Sequence, residues 1–107
     1  MRRIVEKGPH ARLQITTGRG SGTVIPLILA ETLVGRIDSA QLVLDDSTVS
    51  RLHARLTVSG DQVFVQDLES REGTWVNGVA VRGPHRLSPG DLVAFGDVLV
   101  RFEAGTV

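Results

Sequence analysis

Three short polar clusters, Gly35-Arg36, Ser50-Arg51-Leu52-His53 and Gly73-Thr74-Trp75-Val76-Asn77-Gly78, are set between β-like runs of this chain. Together they hold what coordination of a phosphate requires: guanidinium groups for bidentate pairing, a hydroxyl that donates, and glycines that let backbone N–H groups approach an anion. Ser50 and His53, with Asp45 and Asp46 upstream, also include a nucleophile, a base and an orienting acid. All four fall within nine positions. A hydrolytic nucleophile stands on a strained elbow with its oxyanion hole supplied from elsewhere, so this spacing argues against catalysis. His10, His53 and His85 stand alone in separate segments without ligand spacing or cysteines, and no metal site or cofactor is expected. Gly18-Arg19-Gly20-Ser21-Gly22 neither opens a helix nor ends in Gly-Lys-Ser/Thr, and reads as a hairpin connection rather than a nucleotide loop.

Composition narrows the rest. The 107 residues suffice for one domain with a single core. Twelve basic side chains balance twelve acidic ones, so no global field draws nucleic acid or an anionic membrane, and any anion binding must be local. Trp75, Phe64, Phe95 and Phe102 are the aromatics; the three Phe alternate as core, Trp75 reads as core or rim, and nothing resembles a base-stacking platform. The absence of cysteine suits a reducing compartment. The N-terminal stretch lacks the apolar run of a signal peptide and reads as a short tail. Val24 to Val34, the most apolar run, is interrupted by Pro26, Glu31 and Thr32 and falls far short of the roughly 20 residues of a spanning helix. A cytoplasmic protein without membrane or nucleic-acid partners is expected.

The elements that must position the clusters are strands. Period-two alternation recurs with short turns between, and no segment sustains a helical period. The pattern predicts strands at Arg12 to Thr17, Thr23 to Ile28, Glu31 to Gly35, Gln41 to Leu44, His53 to Ser59, Gln62 to Asp67, Trp75 to Val76, Val79 to Val81, Leu92 to Phe95 and Val98 to Phe102. In the fifth, Ala54, Leu56 and Val58 share the buried face while His53, Arg55 and Thr57 share the other. Asn77-Gly78 is the clearest hairpin turn, because both residues tolerate positive φ. Asp67 and Asp91 read as turn acids. An all-β chain of many short strands forms a sandwich or a closed barrel, with its loops gathered at the ends.

In their order and spacing the clusters resemble the forkhead-associated (FHA) domain family. The resemblance runs from Gly35-Arg36 through Val49-Ser50-Arg51-Leu52-His53-Ala54 and Asp67-Leu68-Glu69-Ser70 to Gly73-Thr74-Trp75-Val76-Asn77-Gly78, followed by Leu87, Gly90-Asp91 and Gly96. It implies an eleven-stranded β-sandwich over residues 12–103, with tails at 1–11 and 104–107 and phosphothreonine-binding loops at one end. The implied function is docking to a phosphothreonine-containing protein or peptide, a Ser/Thr kinase or its substrate, without catalysis. Arg36 would be the main phosphate cation, Ser50 would donate its hydroxyl, and Arg51 would contact phosphate or ligand backbone. Gly35 belongs to the same site's architecture. His53 would brace the loop from within, Gly73 and Thr74 would shape the next loop, and Asn77 would tie adjacent loops through backbone hydrogen bonds.

One position departs from the pattern. The family usually reads Ser-x-Asn-Gly-Thr where this chain has Ser70-Arg71-Glu72-Gly73-Thr74. An acceptor-only carboxylate replaces an amide that both donates and accepts. At ~7 Å and an effective dielectric of ~40 its repulsion of each phosphate charge costs roughly 1 kcal/mol. Arg71 offsets this if it points inward, adding a phosphate donor. Both arrangements are open to the sequence, and so is an FHA-fold interaction domain that binds its partner independently of phosphate.

Overall fold

The computed structural model describes residue 4 and residues 10–105. Among them the chain forms eleven strands and no helix: β1 (Arg12–Ile15), β2 (Val24–Pro26), β3 (Glu31–Gly35), β4 (Leu42–Val43), β5 (Ala54–Ser59), β6 (Gln62–Asp67), β7 (Thr74–Val76), β8 (Val79–Ala80), β9 (His85–Arg86), β10 (Leu92–Phe95) and β11 (Val98–Glu103). They make two sheets, one of six strands in the order β2-β1-β11-β10-β7-β8 and one of five in the order β4-β3-β5-β6-β9. Two packed sheets, not a closed barrel, resolve the alternative left by periodicity. No helix of the described residues is long and apolar enough to cross a membrane.

Alternation explains the packing. On β5, Ala54, Leu56 and Val58 turn inward, and their cross-strand neighbours on β6 include Val65 opposite Leu56 and Val63 opposite Val58. The six-stranded sheet answers with Leu13 opposite Phe102, Ile15 opposite Val100 and Phe95 opposite Val98. These rows meet between the sheets as one core, the arrangement in which a sandwich buries both inner faces about 10 Å apart. Pro26 lies on an edge strand, where its missing N–H leaves no ladder bond unmade. Asn77 (φ 50°) and Gly78 (φ 82°) turn the β7–β8 hairpin, with Val76 opposite Val79, as that dipeptide predicts.

Three details differ from the alternation pattern. β9 was not expected: its two residues are both exposed and owe their strand geometry to pairing with Phe64 and Val65 of β6. Phe64 is half-buried on the outer face, with Thr57 opposite, and is not part of the core. His53 precedes β5 and is fully buried instead of sharing the outer face with Arg55 and Thr57. Most of the expected 1–11 tail and the last two residues of the 104–107 tail lie outside the described residues. Ile4 makes an isolated antiparallel bridge to Leu29, and the buried Ala11 accepts a hydrogen bond from Leu27 N–H.

Candidate functional site

The first cluster sits where β3 ends against the loop before β5. Gly35 is buried, and a Cβ added to it would run into the carbonyl oxygen of Arg51, so only glycine lets the two backbones come this close. That approach lets Arg36 N–H bridge the carbonyls of Ser50 and Arg51, at 3.1 Å each. The Arg36 side chain is exposed, and its Nε donates to Val49 O at 3.0 Å. One nitrogen thus anchors the guanidinium, and no hydrogen bond or ion pair engages its two Nη groups among the described residues. Ser50 Oγ accepts a hydrogen bond from Arg71 N–H at 3.0 Å. With that lone pair occupied, the hydroxyl proton is available to an acceptor outside the protein.

His53 braces this loop from beneath. Its Nδ1 accepts from Ser50 N–H at 3.0 Å while Nε2 donates to Gly73 O at 2.8 Å. Both bonds together fix the neutral tautomer that carries its proton on Nε2. The ring stands edge-on to Phe95, with centroids 5.8 Å apart and planes at 88°. One buried imidazole therefore couples the second cluster to the third across the core.

The third loop is templated by Asp67 at the end of β6. Its carboxylate accepts hydrogen bonds from the Ser70 hydroxyl, from Thr74 Oγ1 at 2.7 Å and from Ser70 N–H at 3.1 Å, and Ser70 Oγ accepts from Gly73 N–H at 2.9 Å. Thr74 is buried and makes its bond inward. Sequence reading took Asp67 for a turn acid; its signal as an organiser lies in the hydroxyls three and seven positions on. Partial burial works to raise the pKa of Asp67, but the Ser70 and Thr74 hydrogen bonds outweigh it and hold the carboxyl below its ordinary 3.8. A depressed folded-state value contributes stability that is present above 3.8 and lost as pH falls through the lower folded value. Thermal melts at stepped acid pH are expected to show a stability loss below about pH 4 that Asp67→Asn flattens; parallel profiles would remove the carboxylate from this role.

The rim is cationic. Arg71 reaches across the mouth, with Nη2 donating to Ser47 O at 3.3 Å and Nε 3.8 Å from Glu72 Oε2. Glu72 is thus paired along its own loop, and its carbonyl accepts from the Trp75 indole N–H at 3.4 Å. Trp75 is half-exposed on the outer face beside Gly73, whose positive φ of 90° suits glycine. Arg51 is exposed. The structure thus gathers Gly35, Arg36, Ser50, Arg51, His53, Arg71, Glu72, Gly73 and Thr74 at one end of the sandwich. Asn77 lies at the other end of β7, where its N–H and Oδ1 exchange hydrogen bonds with Leu92 and its Nδ2 donates to Asp91 Oδ1 at 3.0 Å.

Two supports escaped the sequence. Thr48 Oγ1 accepts from Asp97 N–H at 2.9 Å, tying the β4–β5 loop to the β10–β11 turn, where a Cβ on Gly96 would strike Thr48 O. Arg19, on the loop read as a plain hairpin connection, pairs with Asp45 at 2.9 Å and forms a wall of the cleft next to Arg36. His10 and His85 are exposed, and no group of His, Asp and Glu among the described residues is placed to hold a metal.

The sequence profile described as FHA domain matches residues 32–96, the stretch that carries all three loops and their braces. The chain belongs to the FHA domain family. FhaB of Mycobacterium tuberculosis is 35% identical over 88 residues, which are 82% of this chain and 57% of that protein. This FHA chain therefore spans little more than half the length of that relative. Among solved structures, Mycobacterium tuberculosis EmbR in complex with a low affinity phosphopeptide superposes with a TM-score of 0.81 at 31% identity, covering 91% of this chain and 25% of EmbR. A structure from an analysis of phosphothreonine-dependent FHA domain interactions gives 0.82 at 29% identity, covering 91% of this chain and 98% of that one.

Proposed function

We infer that this chain is a phosphothreonine-dependent docking module, comprising residues 12–103, that recruits a protein phosphorylated by a Ser/Thr kinase and performs no chemistry itself. The observation that carries this reading is the pairing of Arg36 with Ser50. A guanidinium held by its Nε leaves two parallel Nη donors outward, beside a hydroxyl whose acceptor side is already used. That combination suits a tetrahedral dianion, which takes several charge-assisted hydrogen bonds at once. The phosphopeptide held by EmbR and the phosphothreonine dependence named for the second structural neighbour support it. Arg51 adds rim charge and Arg71 a further donor for the phosphate or the ligand backbone, Gly35, Thr74 and Gly73 hold loop shape, and Asn77 fixes the β7–β8 hairpin. Neither metal nor cofactor is needed, and a cytoplasmic setting, where Ser/Thr kinases leave their product, fits. Titration calorimetry with a phosphothreonine peptide selected from a degenerate library, before and after phosphatase treatment, tests the reading; equal affinity for both forms would overturn it.

A second reading rests on Glu72. A carboxylate replaces the amide that would bond the ligand main chain, and phosphate-independent docking through the same loops follows if its charge dominates. The 3.8 Å contact with Arg71 favours the first reading, since the pair presents no net charge. Exposed pairs of this kind contribute about 0–1 kcal/mol, so Glu72→Asn is expected to tighten generic phosphothreonine binding by no more than about fivefold. It should also weaken a preference for Lys or Arg beside the phosphosite, and both differences should shrink at high salt. Library profiles of the two proteins side by side measure this; selection by neither protein for phosphorylated peptide would install the phosphate-independent reading.

A further inference from the structure

Beside Arg36 an open cleft of about 570 Å³ is lined by Gly18, Arg19, Arg36, Asp45, Asp46 and Ser47. Its two acids are already answered: Asp45 pairs with Arg19 at 2.9 Å, and Asp46 Oδ1 accepts from Thr48 N–H and Oγ1 at 2.9 and 2.6 Å. Of the cations at this mouth, Arg36 has both Nη groups unengaged among the described residues and Arg51 is exposed, whereas Arg71 crosses to the Ser47 carbonyl at 3.3 Å and lies 3.8 Å from Glu72 Oε2 in an exposed pair weak enough for a phosphate dianion to displace. The hydroxyls of the two loops divide sharply. Thr48 Oγ1 is held between Asp46 and Asp97, Ser50 Oγ accepts from Arg71 N–H, and Ser70 Oγ is tied to Asp67 and Gly73. Ser47 is exposed, and its hydroxyl makes no hydrogen bond among the described residues.

We propose that Ser47 is a regulatory phosphorylation site whose phosphate seats on Arg36 and Arg71 and closes the domain to phosphothreonine ligands. The inference rests on the docking reading above for its consequence, though not for the contact itself. In the modification, Ser47 Oγ attacks the γ-phosphorus of a nucleoside triphosphate held by a protein kinase. The new O–P bond forms as the bond to the diphosphate's bridging oxygen breaks, and the hydroxyl proton passes to the kinase's base. A phosphoserine carries about −1.5 to −2 charge and three acceptor oxygens, and opposite an Arg cluster it forms charge-assisted hydrogen bonds. Held on its own loop, it competes at high effective concentration with any ligand phosphate for the same guanidinium. The docking module would then carry its own off state, written by a kinase rather than by a separate inhibitor.

The test installs phosphoserine at position 47 during synthesis of the full chain, with circular dichroism as the folding control. Phosphorus NMR follows the second ionisation of the phosphate, which lies near 6 when the group is free. Pairing with guanidinium groups is expected to move that midpoint down, and an Arg36→Ala, Arg71→Ala background to return it to the free value. Identical midpoints in both backgrounds would overturn the proposal. In the second arm, the phosphorylated protein is expected to bind the selected phosphothreonine peptide at least tenfold more weakly than the unmodified protein, and Ser47→Ala to bind as the unmodified protein does. Undiminished affinity would overturn the closure. If unmodified protein binds no phosphothreonine peptide at all, the docking reading fails, and the NMR arm still decides whether the Ser47 phosphate engages Arg36 and Arg71.

Discussion

Arg36→Ala is expected to lower affinity for a phosphothreonine peptide at least tenfold while leaving the fold intact. The side chain is exposed and its one internal bond, Nε to Val49 O, is a part-buried contact to a main-chain carbonyl, so its loss removes no apolar packing from the core. Each charge-assisted hydrogen bond from the Nη pair is worth roughly 1.5–3 kcal/mol, and about 1.4 kcal/mol is tenfold in affinity. Titration calorimetry paired with thermal melts reads both halves of this expectation. Unchanged affinity would remove the central role of Arg36. Ser50→Ala should also weaken binding, but with some loop loosening, because Ser50 Oγ is the acceptor that holds Arg71 N–H.

The second large effect belongs to His53, and it is an effect on stability. His53→Ala leaves Ser50 N–H and Gly73 O without their partner and opens a cavity against Phe95. Unsatisfied groups cost about 1–3 kcal/mol each and the cavity adds to that, so a loss of about 3 kcal/mol is a conservative expectation. For a domain of this size that corresponds to a fall of roughly 12–24 °C in Tm. Binding should weaken through the loosened loops and recover at low temperature, where the variant is folded. A variant with the melting midpoint of the parent but no binding would show that the imidazole touches the ligand.

The same histidine marks where sequence reading reaches its limit. Glu31–Gly35, Gln62–Asp67 and Leu92–Phe95 carry enough alternation for their bounds to be read directly, and the structure has those strands at those residues. β9 could not be read, because His85 and Arg86 have no inward residue; their pairing is decided by Phe64 and Val65, about twenty positions away. Alternation put His53 on the solvent face, whereas two polar partners from separate loops make its burial favourable, and such partners are visible only once the sheets are packed. Arg36, Ser50 and the glycines were legible as a cluster because phosphate chemistry restricts residue type. Thr48, Arg19 and the organising reach of Asp67 were not, since each acts through a contact between loops that are distant in the chain or through ordinary turn chemistry.

Arg12 opens β1 directly opposite Glu103 at the close of β11, while the other ends of those strands lead toward Arg19 and toward Gly96 beside Thr48. The chain thus enters and leaves the sandwich through one doorway, on the side away from Arg36. For protein engineering this makes the domain a cassette: spliced into a surface loop of a host, it needs only two neighbouring attachment points and keeps its recognition loops facing outward. A short linker from Glu103 to Arg12, with new ends opened at Ser59-Gly60, likewise yields a permuted receptor whose fusion points never cross the mouth of the cleft.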